Sequence, residues 1–276
     1  MRGNARDQFQ LQKHLAMSFS RRGLKFDVWN LYGVWSLGFE DCPAYLSPLH
    51  FLHPTVFLRA VEIASYLLTA LAAYLLGSIP TGYLVARSRG IDIRTVGSGN
   101  IGATNVLRIL GKPAGIFVLL VDALKGFVAC SFVGVFVYRL LVGEVADDSL
   151  LEEFLKITGG LFSILGHNYT CFLKFKGGKG IATSSGVALA LLPVALGISI
   201  TLWLVLLALT RYVSVASIAA AFILPFAAWW PGRSSRTMII VAAVIGALAI
   251  YKHRTNMQRL MNGTENRLGK KKEAAP

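Results

Sequence analysis

The sequence predicts an all-α membrane protein with about seven transmembrane helices, and three observations carry that reading. The 276 residues are 54% hydrophobic and 15% charged, well under the roughly 25% charge of a soluble domain. Apolar stretches run for about 20 residues, the length that spans a bilayer core at about 1.5 Å per residue. The charges that remain are gathered between those stretches.

Residues 1–59 form an extension, read as partly disordered or interfacial, which mixes charges with Phe26, Trp29, Tyr32 and Trp35. It lacks both a long apolar run and a small-residue cleavage site. A start at Met17 or later is an alternative for this segment. The membrane domain is expected over 60–268, followed by a basic flexible tail, 269–276. Seven spans follow in order: 61–85, 115–141, 150–166, 180–192, 194–210, 213–230 and 237–251. The fourth and fifth meet at Pro193, so they are either two short helices or one kinked helix.

With two helices there, segments 86–114, 167–179 and 211–212 and the tail from 252 share one side. That side holds most of the Lys and Arg residues. The opposite loops hold Arg139, Arg233 and Arg236 beside the acidic Glu144, Asp147, Asp148, Glu152 and Glu153. Basic loops remain cytoplasmic, which places the tail inside and the amino terminus outside. The extension, with its own basic residues, argues the other way, although long segments translocate largely regardless of charge.

A formal net charge of +14 fits anionic headgroups or an anionic substrate. Nucleic acid is not an expected partner, because basic patches interleaved with aromatics on a soluble fold are absent. Cys42, Cys130 and Cys171 have neither metal nor redox spacing, and carboxylates and histidines do not cluster. No metal and no cofactor are implied.

Three motifs carry chemistry. The first runs Gly97-Ser98-Gly99-Asn100-Ile101-Gly102-Ala103-Thr104-Asn105 and closes on Arg108. Its glycine spacing formally matches a dinucleotide fingerprint, but that needs a strand before it and a βαβ unit around it, and spans flank it here. What remains is either a tight interhelical turn or an anion cradle. In a cradle, glycines admit backbone N–H groups to an anion, Ser98, Asn100, Thr104 and Asn105 add donors, and Arg108 offers its two-pronged fork.

The second joins Gly166-His167-Asn168 to Lys176-Gly177-Gly178-Lys179-Gly180. It lacks the hydroxyl that follows the lysine of a nucleotide-binding P-loop. A glycine-rich turn with two lysines that opens a helix still suits phosphate; the alternative is an ordinary basic loop. The third is Arg211-Tyr212-Val213-Ser214-Val215-Ala216-Ser217. By its residues alone it reads as a helix cap at Ser214 and a small interhelical contact at Ser217. His253, Asn256, Arg259, Glu265 and Asn266 follow the last span, where a solvated tail is the default. Asp122 and Lys125, three apart inside the second span, share a helix face and can pair.

The strings GSIPTGYLVAR, VGSGNIGATNVLR, GHNYTCFLKFKGGKGIAT, RYVSVAS and KHRTNMQRLMNGTENRL, in this order, resemble the bacterial acyl-phosphate:glycerol-3-phosphate acyltransferase family over roughly Val61 to Leu268. Thr170 departs from the proline common there. The resemblance implies a multi-pass enzyme of the bacterial inner membrane that acylates position 1 of glycerol 3-phosphate, releasing lysophosphatidic acid and phosphate. It implies Ser98, Arg108 and Lys179 as catalytic, with His167 a weaker candidate. It implies Ser217, His253, Asn256 and Glu265 as substrate-binding, which reverses the residue-level reading of Ser217. Gly97, Gly99, Asn100, Thr104, Asn105, Lys176, Gly177 and Gly178 complete the expected phosphate cradles. The implied partners are the two substrates, membrane lipid and the enzyme that makes acyl phosphate.

Acyl phosphate is already activated, so direct transfer needs only orientation and charge stabilisation. The proton acceptor is left open among His167, Glu265 and a substrate phosphate oxygen. An acyl-CoA-type enzyme is disfavoured because none of the five histidines has Asp five residues on. A phosphate or organic-anion transporter is the alternative from another class. Transporters place sites near the midplane on broken helices, often within internal repeats, whereas these motifs sit at span ends.

Overall fold

The computed structural model describes residues 54–143, 149–230, 232 and 234–269, all within one compact unit, His53–Pro276. Residues up to 53 of the expected extension 1–59, the acidic Glu144, Asp147 and Asp148, Arg233, and the tail from residue 270 lie outside the described residues, whereas 54–59 already belong to the first helix.

Every regular element among the described residues is helical. The first span is α1 (Pro54–Ser78) followed by α2 (Thr81–Arg87). The break falls where Pro80 bars the helical backbone at the residue before it. A loop leads to the short α3 (Ala103–Leu110), which ends at Gly111, φ +90°. Then α4 (Lys112–Val128), a π-helical turn (Ala129–Val133) and α5 (Gly134–Val142) run on as one long span. The chain returns through α6 (Ser149–Asn168), a 3₁₀ turn (Cys171–Leu173), α7 (Ile181–Leu191) and α8 (Pro193–Thr210). It closes with α9 (Val213–Trp229), α10 (Arg236–Lys252) and α11 (Arg254–Met261), the last two meeting at 51°.

A helix stands at each of the seven expected positions, and Pro193 does separate two helices. Three segments, Arg59–Arg87, Lys112–Val142 and Pro193–Thr210, are individually long and apolar enough to cross a bilayer, and the bent α10–α11 pair brings the number to four. The others fall short for identifiable reasons. α6 carries Glu152, Glu153 and Lys156. α7 has 11 residues, about 16 Å against a core of about 30 Å.

Burial is inverted relative to a water-soluble protein. Ile63, Leu67, Leu71 and Leu75 on α1, and Ile116, Leu120 and Leu124 on α4, form exposed apolar stripes, while Ser65, Thr69, Asp122, Lys125 and Ser163 are buried. That is how a helix bundle meets lipid, with polar groups turned inward. Helices α1 and α6 pack closely because Gly77 and Gly166 leave no side chain between the backbones, the small-residue contact usual in membranes.

Two apolar clusters fix the frame of the site. Cys130, Ile157, Ile164, Val187, Leu192 and Ala195, with Leu224 and Ile245, tie α6 to α10 around the π-helical turn. Ala86, Ile93, Ile101, Val106, Val118 and Leu173 clamp the 88–102 loop between α2, α3, α4 and the 3₁₀ turn.

Candidate active site

The first motif is held in shape by one side chain. Asn105, 2% exposed in the first turn of α3, accepts the Ser98 N–H at 2.9 Å. Its amide donates to the carbonyls of Ile93, Val96 and Asn100 at 3.2, 3.1 and 2.9 Å. All its donors are engaged, so Asn105 shapes the cradle from within. Asn100 closes the next turn by accepting the Gly102 N–H at 2.8 Å. Gly97 is required here: its φ is +63°, and a Cβ would collide with the Asn105 carboxamide. With the loop fixed, Ser98, Asn100, Thr104 and Arg108 face a cleft of about 140 Å³.

The second motif enters the same cleft. Gly180 (φ +79°) turns the chain into α7, whose N-terminal N–H groups favour anions. Gly178 packs directly on the His167 ring, where any Cβ would collide, and its N–H donates to the His167 carbonyl at 3.0 Å. Gly177 and Gly178 therefore seat the loop, while Lys179 and His167 line the cleft. Lys176 is exposed and outside the lining residues.

The carboxy-terminal segment folds back instead of fraying into solvent. The Leu268 N–H donates to the Arg211 carbonyl at 2.8 Å, and the Arg267 guanidinium stacks over the Tyr212 ring at 4.8 Å. This strap carries Glu265 into the cleft, where Oε1 accepts from Ser214 Oγ (2.8 Å) and Asn256 Nδ2 (2.7 Å) and Oε2 from Arg259 Nε (3.0 Å). Burial alone would raise this carboxyl's pKa. The hydrogen bonds from Asn256, Ser214 and Arg259 outweigh burial and hold it below the ordinary range. With its amide nitrogen on Glu265, Asn256 offers Oδ1 to the Lys179 ammonium. His253 donates Nδ1–H to the Ala249 carbonyl at 2.8 Å, a carbonyl being only an acceptor, which leaves Nε2 as the lone-pair nitrogen of the neutral ring.

The charge balance is uneven. Arg259 is neutralised by Glu265. Among the described residues, neither Arg108 nor Lys179 has a carboxylate within ion-pair distance. Burial lowers the pKa of Arg108. The Lys179 ammonium is pushed down to about 8, first by burial and then by the cations Arg259, Arg108 and Lys252, with Glu265 opposing. Two cations without a carboxylate partner, facing one cleft, make its potential positive, which suits an anion.

At the inner end of the cleft, Asp122 accepts from Thr81 Oγ1 at 3.0 Å and pairs with Lys125 at 2.8 Å, and His167 Nδ1 lies 3.7 Å from the same oxygen. Lys125 also reaches the Ile79 carbonyl at 3.0 Å. This polar brace fixes α4 to the proline break between α1 and α2.

Of the sixteen residues singled out from sequence, Ser98, Asn100, Thr104, Asn105, Arg108, His167, Lys179, Ser217, His253, Asn256 and Glu265 line one cleft. Gly97, Gly99, Lys176, Gly177 and Gly178 do not. The sequence reading left out Ser214, taken as a cap, Arg259, taken as solvated tail, and Trp203, within an apolar run. Only folding back of the tail discloses the first two. Trp203 donates Nε1–H to Ser217 Oγ at 3.1 Å, a contact without a local sequence signal. For Asp122 the signal existed in its spacing from Lys125.

Comparison with known proteins identifies the family of this chain. The family described as glycerol-3-phosphate acyltransferase matches residues 67–263. The glycerol-3-phosphate acyltransferase of Geotalea daltonii is 44% identical over 204 residues, 74% of this chain and 98% of that protein. The one from Aquifex aeolicus is 45% identical over 198 residues, 71% and 95% of the two chains. Among solved structures, PlsY, an integral membrane glycerol 3-phosphate acyltransferase, in its glycerol 3-phosphate form, superposes with a TM-score of 0.63 at 42% identity, covering 74% of this chain and 96% of that one. The same enzyme in its lysophosphatidic acid form gives 0.62 at 41% identity. The chain, helical in every regular element of its described residues, is thus a membrane acyltransferase and belongs to the glycerol-3-phosphate acyltransferase family.

Proposed function

We propose that this enzyme transfers a fatty acyl group from acyl phosphate to the 1-hydroxyl of glycerol 3-phosphate at the cytoplasmic face of a bacterial plasma membrane. The observation that carries the proposal is the pair of unpaired cations, Arg108 and Lys179, in a single cleft. Both substrates bear phosphate, and the relative PlsY has been crystallised with glycerol 3-phosphate and with lysophosphatidic acid. The orientation rests on the basic residues of the segments 86–114, 167–179 and 211–212. Seven membrane crossings, with the short helices packed inside the protein, fit that orientation.

In the reaction the glycerol oxygen attacks the acyl carbonyl carbon, the carbon–oxygen bond to phosphate breaks, and inorganic phosphate departs. The hydroxyl proton passes to an oxygen of the leaving phosphate, so no acyl-enzyme is required. Arg108 and Lys179 hold the phosphates and offset the charge that develops on the departing group. Ser98, Ser217 and Asn256 orient the glycerol and the carbonyl. Glu265, held ionised by three donors, fixes Asn256 and Arg259 and is a poor proton acceptor.

The donor is tested with purified full-length protein and radiolabelled glycerol 3-phosphate, offering palmitoyl phosphate, palmitoyl-CoA or palmitoyl-acyl carrier protein. Lysophosphatidate is expected with palmitoyl phosphate alone. Product formed only with a thioester donor would contradict the proposal.

A further inference from the structure

Trp203 lies on α8, half-buried, and its indole N–H donates to Ser217 Oγ on α9 at 3.1 Å. Both side chains line the cleft, whose lining also includes the apolar Leu119, Ile181 and Val213. A serine hydroxyl has one proton and two lone pairs, whereas indole nitrogen is a donor only. The polarity of the bond is therefore fixed: Ser217 accepts from Trp203 and keeps its own proton to give away. Other hydroxyls in this bundle give theirs to a carbonyl one turn back, as Thr201, Thr210 and Ser185 do. Ser217, 2% exposed, has no such acceptor among the described residues.

We infer that Trp203 is a positioning residue that forces Ser217 to act as a hydrogen-bond donor toward an oxygen of the substrate in the cleft. This rests on the reading of Ser217 as a substrate-binding residue. With one lone pair of Ser217 taken by Trp203, its proton is left for an acceptor that the substrate brings. Without Trp203, the hydroxyl is free to rotate and spend its proton on the helix backbone. The apolar neighbours make the acyl phosphate the substrate served, because its chain needs that side of the cleft.

A double-mutant cycle tests the inference. Trp203→Phe, Ser217→Ala and the double variant are made in the full-length protein. Lysophosphatidate formation is followed under single turnover, and thermal unfolding serves as the control for folding. Trp203→Phe keeps an aromatic ring but removes the N–H together with the five-membered ring that carries it, so the cycle is needed to separate the hydrogen bond from lost packing. The substitution should lower kcat/KM for acyl phosphate about five- to tenfold, the worth of one ordinary hydrogen bond, with unfolding unchanged. The loss should be clearly smaller once Ser217 is alanine, because only the packing part of it remains.

An equal loss in both backgrounds would make Trp203 an independent wall of the cleft and overturn the inference, as would wild-type activity in Trp203→Phe. Wild-type activity in Ser217→Ala removes Ser217 from the site and with it the premise, a distinct result. Should Ser217→Ala fall below detection, Ser217→Cys takes its place. Its sulfur accepts poorly, so the Trp203→Phe loss should shrink there; an undiminished loss would count against the inference.

Discussion

The Lys179 ammonium and the Asn256 side-chain oxygen are hydrogen-bonded to each other across 77 residues of sequence, joining the glycine-rich loop before α7 to the first turn of α11. One of the three ammonium donors is used by this bond, and the others are left for the cleft. Asn256 is in turn fixed by Glu265. The Lys179 ammonium is thus tied through Asn256 to Glu265 on the carboxy-terminal strap.

Replacing either unpaired cation should cost more than the loss of a surface charge. Arg108→Ala and Lys179→Ala are each expected to lower kcat/KM by about 10²–10³-fold, the range for removing one donor from developing negative charge. The assay is lysophosphatidate formation, with thermal unfolding of each variant close to wild type. Arg108→Lys should recover only part of the loss, since an ammonium lacks the planar fork.

The pH dependence has a definite sign. In the proposed reaction Lys179 holds phosphate only when protonated, and burial lowers its pKa to about 8 in the free enzyme. The kcat/KM profile should therefore fall as pH rises through about 8. Bound phosphate favours the charged form, so the same limb in kcat should lie at higher pH. In Lys179→Arg the alkaline limb should disappear whatever activity remains, because guanidinium does not titrate there.

Glu265→Gln replaces an acceptor of three hydrogen bonds by a group that must present N–H to at least one donor. Activity should drop and the carboxy-terminal strap should loosen, seen as faster hydrogen exchange at Asn256–Leu268. The carboxyl's pKa is lowered in the fold from 4.5. Its contribution to stability is then fully present above about pH 4.5 and lost as pH falls through the lower folded value. Glu265→Gln should flatten that acid limb of the unfolding curve.

Asp122→Ala leaves Lys125 buried beside α2 without its charge partner. Breaking such a pair from one side costs about 3–5 kcal/mol, so thermal unfolding in detergent should shift strongly downward. Asp122→Leu combined with Lys125→Met should recover most of that stability. If the double variant stays inactive when refolded and stable, Asp122 also serves the cleft through His167, 3.7 Å away.

The bundle was legible because apolar runs are long and Pro193 marks a break, whereas the break at Pro80, inside the expected span 61–85, was not read. Charged residues in α6 and the shortness of α7 are why only three helices, or four with the bent pair, qualify as spans by length and composition alone: the others depend on neighbours that a window along the chain does not see. The site was legible where chemistry is local, as in Gly97 to Arg108 and Gly177 to Gly180. Arg259 and Ser214 were hidden because both meet Glu265 only after the tail turns back on the α8–α9 connection. Lys176 and Lys179 sit in the same motif, and only the packing of Gly178 on His167 decides which of them faces the cleft.

A structure of this protein with glycerol 3-phosphate bound tests the central claim most directly. The account predicts phosphate oxygens within hydrogen-bond distance of the Arg108 guanidinium or the Lys179 ammonium, inside the cleft closed by Glu265. Phosphate held elsewhere, with both cations facing solvent, would contradict it.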